Sequence, residues 1–216
     1  MTMIKEDLYQ EAVENFLHLC HIRTYPEKAI IIRPGDVGDK LIFIVEGSVA
    51  VSVEDENGHE LILAYLNKSD FIGEVGVFNV PVARAVSVKT RCQCQLAEIS
   101  YDRFLQALKK ELKEYATDLL CLLGKQLATR LLNTSGKYRD LAFMDVEGRV
   151  ARTLLDLCQE PDAMTHPDGM QLSITRQEIG RIVGCSREMS GRVLKELNDK
   201  GLISAHGKTI VVFGTR

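Results

Sequence analysis

Residues 175–197 read TRQEIGRIVGCSREMSGRVLKEL, a pattern of two short helices joined by a tight turn. Thr175 and Glu178 are spaced as a capping box, in which the hydroxyl accepts a hydrogen bond from the backbone N–H three residues on. Gly184 permits a sharp turn that a Cβ would hinder, and Ser186 can cap the second helix. The stretch therefore predicts a helix-turn-helix.

The outer surface of the second helix has the chemistry of base recognition. Arg187 and Arg192 can bridge guanine O6 and N7, and the Glu188 carboxylate can accept from cytosine N4. Residues 176–216 contain eight Lys and Arg against four Asp and Glu, a balance of +4 in a chain whose net charge is −3. Local positive charge attracts phosphates, so the segment is predicted to bind double-stranded DNA. The alternative interpretation is a helical hairpin with a solvated basic face.

One residue departs from the usual helix-turn-helix pattern. Ser190 stands where an apolar residue normally packs, and Met189 is the neighbour that could compensate. After the second helix, residues 202–204 and 209–213 are β-favouring runs on either side of His206-Gly-Lys208. This arrangement predicts a β-hairpin wing that follows the two helices.

The first half of the chain favours β-structure instead. Runs rich in Val and Ile at 41–45, 48–53 and 61–66 are separated by glycines and other turn residues. Their spacing predicts many short antiparallel strands in a barrel or sandwich. Asn57-Gly58 predicts a tight hairpin turn, because both residues tolerate positive φ.

A long helical pattern follows the β-rich half. From Tyr101 to about Ser135 the chain has no Pro and one Gly, and its leucines recur at three- and four-residue spacing. The pattern predicts one long helix with two apolar faces, which ends at 134–136. One face is expected to pack on its own domain and the other on a partner helix, which indicates a dimer. A single buried helix in a monomer is the alternative.

The sequence offers little for an enzyme, a metalloprotein or a membrane protein. The five His are scattered, and no Ser/His/Asp spacing or P-loop is present. The six Cys form no CxxC pair and have no nearby His at zinc-ligand spacing. We therefore predict no catalytic residue and no metal. The first eleven residues lack the apolar segment of a signal peptide, and no apolar run could span a membrane, so we expect a cytoplasmic protein.

Longer runs resemble a known family. Residues 65–67, 141–145, 159–170, 174–188 and 207–216 are similar to the cyclic AMP receptor protein family, the CRP/FNR family of bacterial transcription regulators. The resemblance covers nearly the whole chain and implies a homodimeric activator or repressor that binds palindromic DNA. It implies an α+β fold with an N-terminal cyclic-nucleotide-binding β-roll (jelly-roll-like) at 1–105, a long dimerisation helix and hinge at 106–141, and a C-terminal winged helix-turn-helix at 142–216.

The resemblance also assigns roles to residues of the C-terminal domain. It implies that bases are read by Arg187, Glu188 and Arg192. It implies that the DNA backbone is held by Arg176, Gln177, Ser186, Lys195 and Lys208. It implies a contact with RNA polymerase through Ala163, Met164, Thr165, His166, Pro167, Asp168 and Gly169.

The same resemblance implies an effector pocket in the β-roll. Its expected residues are Gly73, Glu74, Val75, Arg84, Ala85, Arg130, Thr134 and Ser135. Glu74 can accept from a ribose hydroxyl, and Arg84 can form a forked hydrogen bond with a cyclic phosphate. Thr134 and Ser135 match the residues that meet the base, one from each subunit. Without the resemblance, the residues alone favour a different interpretation, in which the Gly-Glu pair forms a turn and the Arg is an exposed surface charge.

Two features of the pocket region differ from the cyclic AMP receptor proteins. Ala85 stands where cyclic AMP binders place Ser or Thr, and the missing hydroxyl forfeits about 1–3 kcal/mol if its partner stays buried. The segment from Tyr101 to Arg130 is also longer, which is similar to the Clp-like branch that is associated with cyclic di-GMP. We expect cyclic AMP as the effector, with cyclic di-GMP or no nucleotide as alternatives. A nucleotide sensor that does not bind DNA is a more distant alternative.

Overall fold

The computed structural model describes residues 4–79 and 83–215, and the chain folds as two compact units. The first unit comprises the residues up to 53 together with 64–134, and the second comprises 54–63 together with 135–216. These units follow spatial contacts, and one long helix contributes to both. The domain boundaries expected after residues 105 and 141 therefore stay predictions.

The first unit is a β-roll flanked by helices. Its strands are β1 (His21–Tyr25), β2 (Ile30–Ile32), β3 (Lys40–Glu46), β4 (Val49–Glu54), β5 (Glu60–Leu66), β6 (Phe71–Ile72), β7 (Ser87–Thr90) and β8 (Cys94–Ser100). Its helices are α1 (Ile4–Leu17), α2 (Val75–Phe78), α3 (Tyr101–Lys109) and α4 (Ala116–Phe143). Helix α4 continues into the second unit, which also includes the last residue of β4 and the first four residues of β5. The strands form two four-stranded sheets with the orders β1-β8-β3-β6 and β2-β7-β4-β5. The predicted β-rich N-terminal fold is confirmed.

Strand β3 contributes to two separate cores because successive side chains of a strand point to opposite faces. Ile42 and Ile44 lie in a core that also contains residues of β2, β4 and β7. Leu41 and Phe43 face the other way, into a core shared with α1, α3 and α4. The central strand is therefore buried on both sides, and it fixes the helices against the roll.

An aromatic cluster joins the helices to the first sheet. The rings of Phe16, Phe43, Phe71 and Phe104 contact one another edge to face, with centroids 4.9–6.2 Å apart. Each such pair contributes about 0.5–1.5 kcal/mol beyond the area that it buries. Leu119 and Leu123 of α4 are fully buried in the same core. The first half of α4 is thus fixed to the roll.

The single long helix predicted from Tyr101 to about Ser135 is wrong in two respects: it is interrupted at residues 110–115, and it ends later than predicted. Ser100 caps α3 by accepting a hydrogen bond from the Arg103 N–H at 3.3 Å, and Lys110 leaves the helical conformation with φ −125° and ψ −92°. Leu112 is fully buried in the connection that follows. Helix α4 then continues through Gly136 to Phe143, because a glycine inside a helix costs only about 1 kcal/mol.

The turn predicted at Asn57-Gly58 is a longer loop between β4 and β5. Only Gly58 has positive φ, at +80°. Asp55 organises the loop, because its Oδ1 accepts from the N–H groups of His59 at 2.8 Å and Asn57 at 2.9 Å. These bonds, that from His59 foremost, lower the pKa of Asp55 to about 2. Side-chain hydrogen bonds, rather than backbone propensity, therefore set the loop length.

The second unit contains a small sheet and a group of helices. Its helices are α5 (Val146–Leu157), α6 (Arg176–Val183) and α7 (Arg187–Asp199), and its strands are β9 (Met164–His166), β10 (Gly169–Ser173), β11 (Ile203–His206) and β12 (Thr209–Phe213). The antiparallel sheet has the order β11-β12-β10-β9. Strand β9 lies within the region 161–169 and pairs with β10 at the edge of the sheet.

Candidate effector pocket and nucleic-acid interface

The predicted helix-turn-helix is formed by α6 and α7, and its caps have the expected geometry. The Thr175 hydroxyl accepts from the Glu178 N–H at 3.1 Å, and the Ser186 hydroxyl accepts from the Met189 N–H at 3.1 Å. Gly184 ends α6 in the left-handed conformation with φ +73°. The side chains that face inward are buried: Ile179, Val183, Val193, Leu194 and Leu197.

Ser190 is fully buried, and local hydrogen bonding explains how a hydroxyl is accommodated there. Its Oγ donates to the Ser186 carbonyl at 3.2 Å and lies 3.3 Å from the Cys185 Sγ. Helix α6 also lies close to the turn and to α7, since a Cβ on Gly180 would lie 2.6 Å from the Cys185 carbonyl oxygen and 3.3 Å from the Ser190 Oγ. A small residue with a satisfied hydroxyl fits this crossing. Met189 is half-buried, and no compensation by it is required.

This close approach gives a prediction about stability. We expect Gly180→Ala to lower the free energy of unfolding by about 1–3 kcal/mol, because the added Cβ meets backbone that cannot move aside. The matched control is Gly136→Ala in α4, where a Cβ meets no atom within 4 Å and helix propensity gains up to about 1 kcal/mol. Urea unfolding of both variants measures the difference. Equal stabilities would contradict the described crossing.

The polar side chains at the start of α7 are exposed, as base readers must be. Arg187, Glu188 and Arg192 all lie on the solvent side of the helix. The pKa of Glu188 is lowered, first by its own backbone N–H and then by the Ser186 hydroxyl. The carboxylate is therefore ionised at neutral pH, which is the state that accepts from cytosine N4.

The remaining predicted DNA-contact residues surround this helix. Arg176, Gln177, Lys195 and Lys208 are exposed. Two other cations of the region are engaged in ion pairs: Arg181 lies 3.0 Å from Glu60, and Lys200 contacts Glu147. The basic surface available to DNA is therefore smaller than the charge count of the sequence indicates.

The predicted wing is a hairpin formed by β11 and β12. His206 pairs with Thr209, so Gly207 and Lys208 form the tip, with Gly207 at φ +64°. The Lys208 carbonyl accepts from the Ile174 N–H at 2.8 Å. That bond fixes the hairpin tip next to the residue that precedes the Thr175 cap, so the exposed Lys208 side chain lies near the start of α6.

The first unit contains a cavity of about 560 Å³. Six residues of the predicted pocket line it: Gly73, Glu74, Val75, Arg84, Ala85 and Arg130. Thr134 and Ser135 do not line it and are exposed on α4. They lie about one helical turn, roughly 6 Å, beyond Arg130 along the helix axis. The predicted set is thus brought together except for these two residues.

Arg84 is held firmly at one end of the cavity. Its Nη2 donates to the Lys40 carbonyl at 2.7 Å, and its backbone N–H donates to the Asp36 carbonyl at 2.9 Å. Gly73 has φ +85°, and a Cβ there would lie 2.7 Å from the Arg84 Nη1. Glycine is therefore required at 73 both by its conformation and by the guanidinium beside it.

Tyr101 is a pocket residue that the sequence did not reveal. Its hydroxyl donates to the Gly73 carbonyl at 2.6 Å, and its ring centroid lies 5.9 Å from the Arg84 Cζ. Burial raises the pKa of Tyr101, so the hydroxyl stays a donor. The ring also packs on Gly76, where a Cβ would come within 2.4 Å of the hydroxyl oxygen. Nothing in the local sequence at the start of α3 predicts that Tyr101 contacts the pocket.

Glu74 and Arg130 form an ion pair at the side of the cavity. The Glu74 side chain is buried, and its Oε1 accepts from the Arg130 Nη1. Arg130 also donates through Nη2 to the Phe71 carbonyl at 2.6 Å. The carboxylate retains lone pairs that can accept from a ligand hydroxyl.

Most of the remaining cavity wall is apolar. Apolar residues of both sheets and of the segment before β7 contribute to it: Ile32, Val51, Leu66, Ile72, Val86 and Val88. The cavity therefore suits a ligand with an anionic group for Arg84, a hydroxyl for Glu74 and a flat, largely apolar body. Over the described residues there is no group of three or more His, Cys, Asp or Glu that could hold a metal ion. No helix within 4–79 or 83–215 has the length and apolar character needed to cross a membrane.

Comparison with known proteins identifies both kinds of domain. Residues 22–111 match the cyclic nucleotide-binding domain family, and residues 148–213 match the Crp-like helix-turn-helix domain family. The chain is 55% identical to the cAMP-activated global transcriptional regulator CRP of Salmonella typhimurium, over 94% of this chain and 95% of that protein. It is 54% identical to the cAMP-activated global transcriptional regulator Vfr of Pseudomonas aeruginosa, over 94% of each.

A solved structure gives a further match. The c-di-GMP responsive global regulator CLP of Xanthomonas campestris superposes with a TM-score of 0.89 and 47% identity, covering 95% of this chain and 99% of that one. Together, a nucleotide-binding roll and a winged helix-turn-helix define a DNA-binding transcription regulator with a cyclic-nucleotide-binding domain. The chain belongs to the CRP/FNR family, and the relatives named above are transcriptional regulators rather than enzymes.

Proposed function

We propose that the chain is a homodimeric regulator whose binding to palindromic DNA is controlled by a cyclic nucleotide, with cyclic AMP as the effector. The observation that carries this proposal is the cavity that Arg84 and Glu74 line together with apolar side chains. The phosphate binds Arg84, a ribose hydroxyl donates to Glu74, and the base packs against the apolar wall. Relatives at 54–55% identity are cAMP-activated, which favours this nucleotide.

Cyclic di-GMP is the second candidate effector. Ala85 lines the cavity and offers no hydroxyl to a cyclic phosphate. A regulator at 47% identity with the same fold responds to c-di-GMP. The second nucleotide moiety of cyclic di-GMP would need additional space and contacts with residues other than the six predicted ones. Cyclic AMP, in contrast, uses the Arg84 and Glu74 side chains that already line the cavity. We therefore rank cyclic AMP first.

Calorimetric titration of the purified protein with each nucleotide separately tests the proposed effector. We expect saturable binding of cyclic AMP with one site per chain in the β-roll. Saturation by cyclic di-GMP alone would overturn the choice of cyclic AMP and support the second candidate. No binding of either nucleotide would overturn effector control by these ligands.

Position 85 provides a sharper test of the phosphate contact. We expect Ala85→Ser to tighten cyclic AMP binding about tenfold or more, because a hydrogen bond to a charged group contributes about 1.5–3 kcal/mol. The control is Ala50→Ser on β4, outside the cavity lining, where no gain is expected. Calorimetry measures both affinities. An unchanged affinity in Ala85→Ser would place the phosphate away from residue 85.

The exposed face of α4 supports a homodimer. Positions that alternate by four and three residues form one stripe: Leu120, Gly124, Leu127, Leu131, Thr134, Tyr138 and Leu141. This is the heptad spacing of a two-stranded coiled coil. Leu131 is 68% exposed and Tyr138 is 75% exposed in the single chain, which is costly for a surface without a partner. A second copy packed on this stripe would also bring Thr134 into an interface.

The DNA contacts are proposed as the sequence predicts them. Arg187, Glu188 and Arg192 read bases in the major groove. The backbone is held by Arg176, Gln177, Ser186, Lys195 and Lys208. In a dimer, two such helices bind half-sites about 34–36 Å apart, as is known of this family's own dimers.

A contact with RNA polymerase is proposed for residues 163–168. Met164 is 50% exposed, and Thr165, Pro167 and Asp168 are exposed beside it. Ala163 and His166 are half-buried, so they contribute only part of their surface. Gly169 is the exception in the predicted set. It is buried, and a Cβ there would fall 2.0 Å from the Val212 carbonyl oxygen, so its role is to allow the close pairing of β10 with β12.

A further inference from the structure

Gln126 of α4 makes a pair of hydrogen bonds that a β-strand would normally make. Its Oε1 accepts from the Phe71 N–H at 2.7 Å, and its Nε2 donates to the Phe71 carbonyl at 2.8 Å. Phe71 begins β6, which pairs on its other side with β3 at the edge of the first sheet. One side-chain amide thus occupies the free edge of the strand that leads into the pocket loop.

The contacts of Arg130, one helical turn further on, converge on the same place. Its guanidinium donates to the Phe71 carbonyl at 2.6 Å and pairs with Glu74. Glu74 lies three residues after Phe71 and faces the cavity. Gln126 and Arg130 lie four residues apart on one face of α4. Together they link the helix to the start of β6 and to the buried Glu74 of the pocket.

The position of these two residues along α4 is also informative. Leu119 and Leu123, on the preceding turns, are fully buried in the core of the first unit. Leu131, one residue after Arg130, is largely exposed and belongs to the stripe assigned to the partner helix. Gln126 and Arg130 thus attach α4 to the roll at the level of Leu127 and Leu131 of the exposed stripe.

We propose that Gln126 is a positioning residue for the response to the effector, which rests on the proposed function. A ligand hydroxyl that donates to Glu74 shares the carboxylate with Arg130 and so alters the Glu74–Arg130 pairing. A shift of the Arg130 side chain displaces the whole of α4 only if the helix cannot slide along β6. The paired hydrogen bonds of Gln126 prevent that slip, so they transmit pocket occupancy to the exposed stripe of α4.

The test compares nucleotide binding with the gain in DNA affinity that the nucleotide produces. The probes are cyclic AMP and a palindromic DNA selected from a random pool by the wild-type protein. We expect Gln126→Leu to bind cyclic AMP within about threefold of wild type while the gain in DNA affinity falls at least about tenfold, within the usual range of allosteric coupling. The matched control is Asn133→Leu, which removes an exposed amide from the same helix.

A second variant gives a signature that a purely structural role would not produce. In Gln126→Glu, a neutral carboxyl offers one donor and one acceptor, as the amide does, whereas the ionised form offers acceptors only. We expect its DNA response to recover towards pH 5 and to fall as the pH rises and the introduced carboxyl ionises. Wild type is expected to show no such recovery.

The outcomes separate the two claims. A wild-type protein without any DNA response to cyclic AMP or cyclic di-GMP would overturn the proposed function, and this inference with it. A responsive wild type together with a fully responsive Gln126→Leu would overturn the role of Gln126 alone. Loss of response in Gln126→Glu at every pH, with thermal stability reduced in parallel, would likewise overturn it in favour of a purely structural contact.

Discussion

Replacing Arg84 with Gln is expected to weaken cyclic AMP binding by about 100-fold or more. Two charge-assisted hydrogen bonds to the phosphate are lost, each worth about 1.5–3 kcal/mol, and about 1.4 kcal/mol corresponds to a factor of ten. Arg84 is effective because the Lys40 carbonyl and the Tyr101 ring orient its guanidinium before the ligand arrives. Calorimetric titration measures the loss, and DNA binding without nucleotide is expected to stay unchanged.

The control for Arg84 is Lys89→Gln, which removes a positive charge from an exposed position on β7. We expect its affinity for cyclic AMP to remain within about twofold of wild type, since exposed charges outside the site are screened by salt. Thermal unfolding without ligand checks that Arg84→Gln is folded. A folded Arg84→Gln protein with wild-type affinity would contradict the assignment of the phosphate to this end of the cavity.

Replacing Arg187 with Ala is expected to weaken binding to the selected palindrome by about 5- to 150-fold per half-site, the equivalent of 1–3 kcal/mol for a bidentate guanine contact. The loss is expected at one base pair of the half-site, where the variant should no longer discriminate. Arg187 is exposed at the start of α7, directly after the Ser186 cap, which is the end of the helix that enters the major groove.

Lys195→Ala is the matched comparison for Arg187→Ala. It is expected to weaken binding to all sequences alike and to reduce the slope of log affinity against log salt by about one. Fluorescence anisotropy with the palindrome, single-base variants and random DNA across salt concentrations separates the two effects. A uniform loss for Arg187→Ala across all sequences would make Arg187 a phosphate contact instead of a base reader.

The helix-turn-helix could be predicted closely because local chemistry determines it. Thr175, Gly184 and Ser186 each fulfil the capping or turn role that their residue type favours. The buried face follows from the helical repeat of the apolar residues. Ser190 is the one residue that departs from the usual pattern, and only the structure explains it. Its hydroxyl donates a hydrogen bond to the Ser186 carbonyl one helical turn earlier.

The break at residues 110–115 and the C-terminal end of the long helix could not be predicted, because packing overrides local preference there. Nothing in the residue types at 110–115 breaks a helix, yet Leu112 is drawn into the core and the chain leaves the helical path. Gly136 has a weak helix propensity, but the helix continues past it. The residues that end α3 are thus determined by contacts with the roll, which the local sequence does not encode.

The pocket was predicted in part. The resemblance to the family identified the six lining residues. The roles of Tyr101 and Gln126 became visible only in the structure, because their hydrogen bonds join residues 28 and 55 positions apart in the sequence. No periodicity or spacing connects such distant positions. Thr134 and Ser135 remain predictions, because the single chain leaves them exposed and their role depends on a second copy.

The central claim is that a cyclic nucleotide controls DNA binding, and one measurement tests it most directly. Fluorescence anisotropy gives the affinity of the purified protein for the selected palindrome without nucleotide, with saturating cyclic AMP and with saturating cyclic di-GMP. We predict that cyclic AMP raises the affinity at least about tenfold, in the range of typical allosteric coupling, and that random DNA gains much less. The same affinity for the palindrome under all three conditions would contradict the claim.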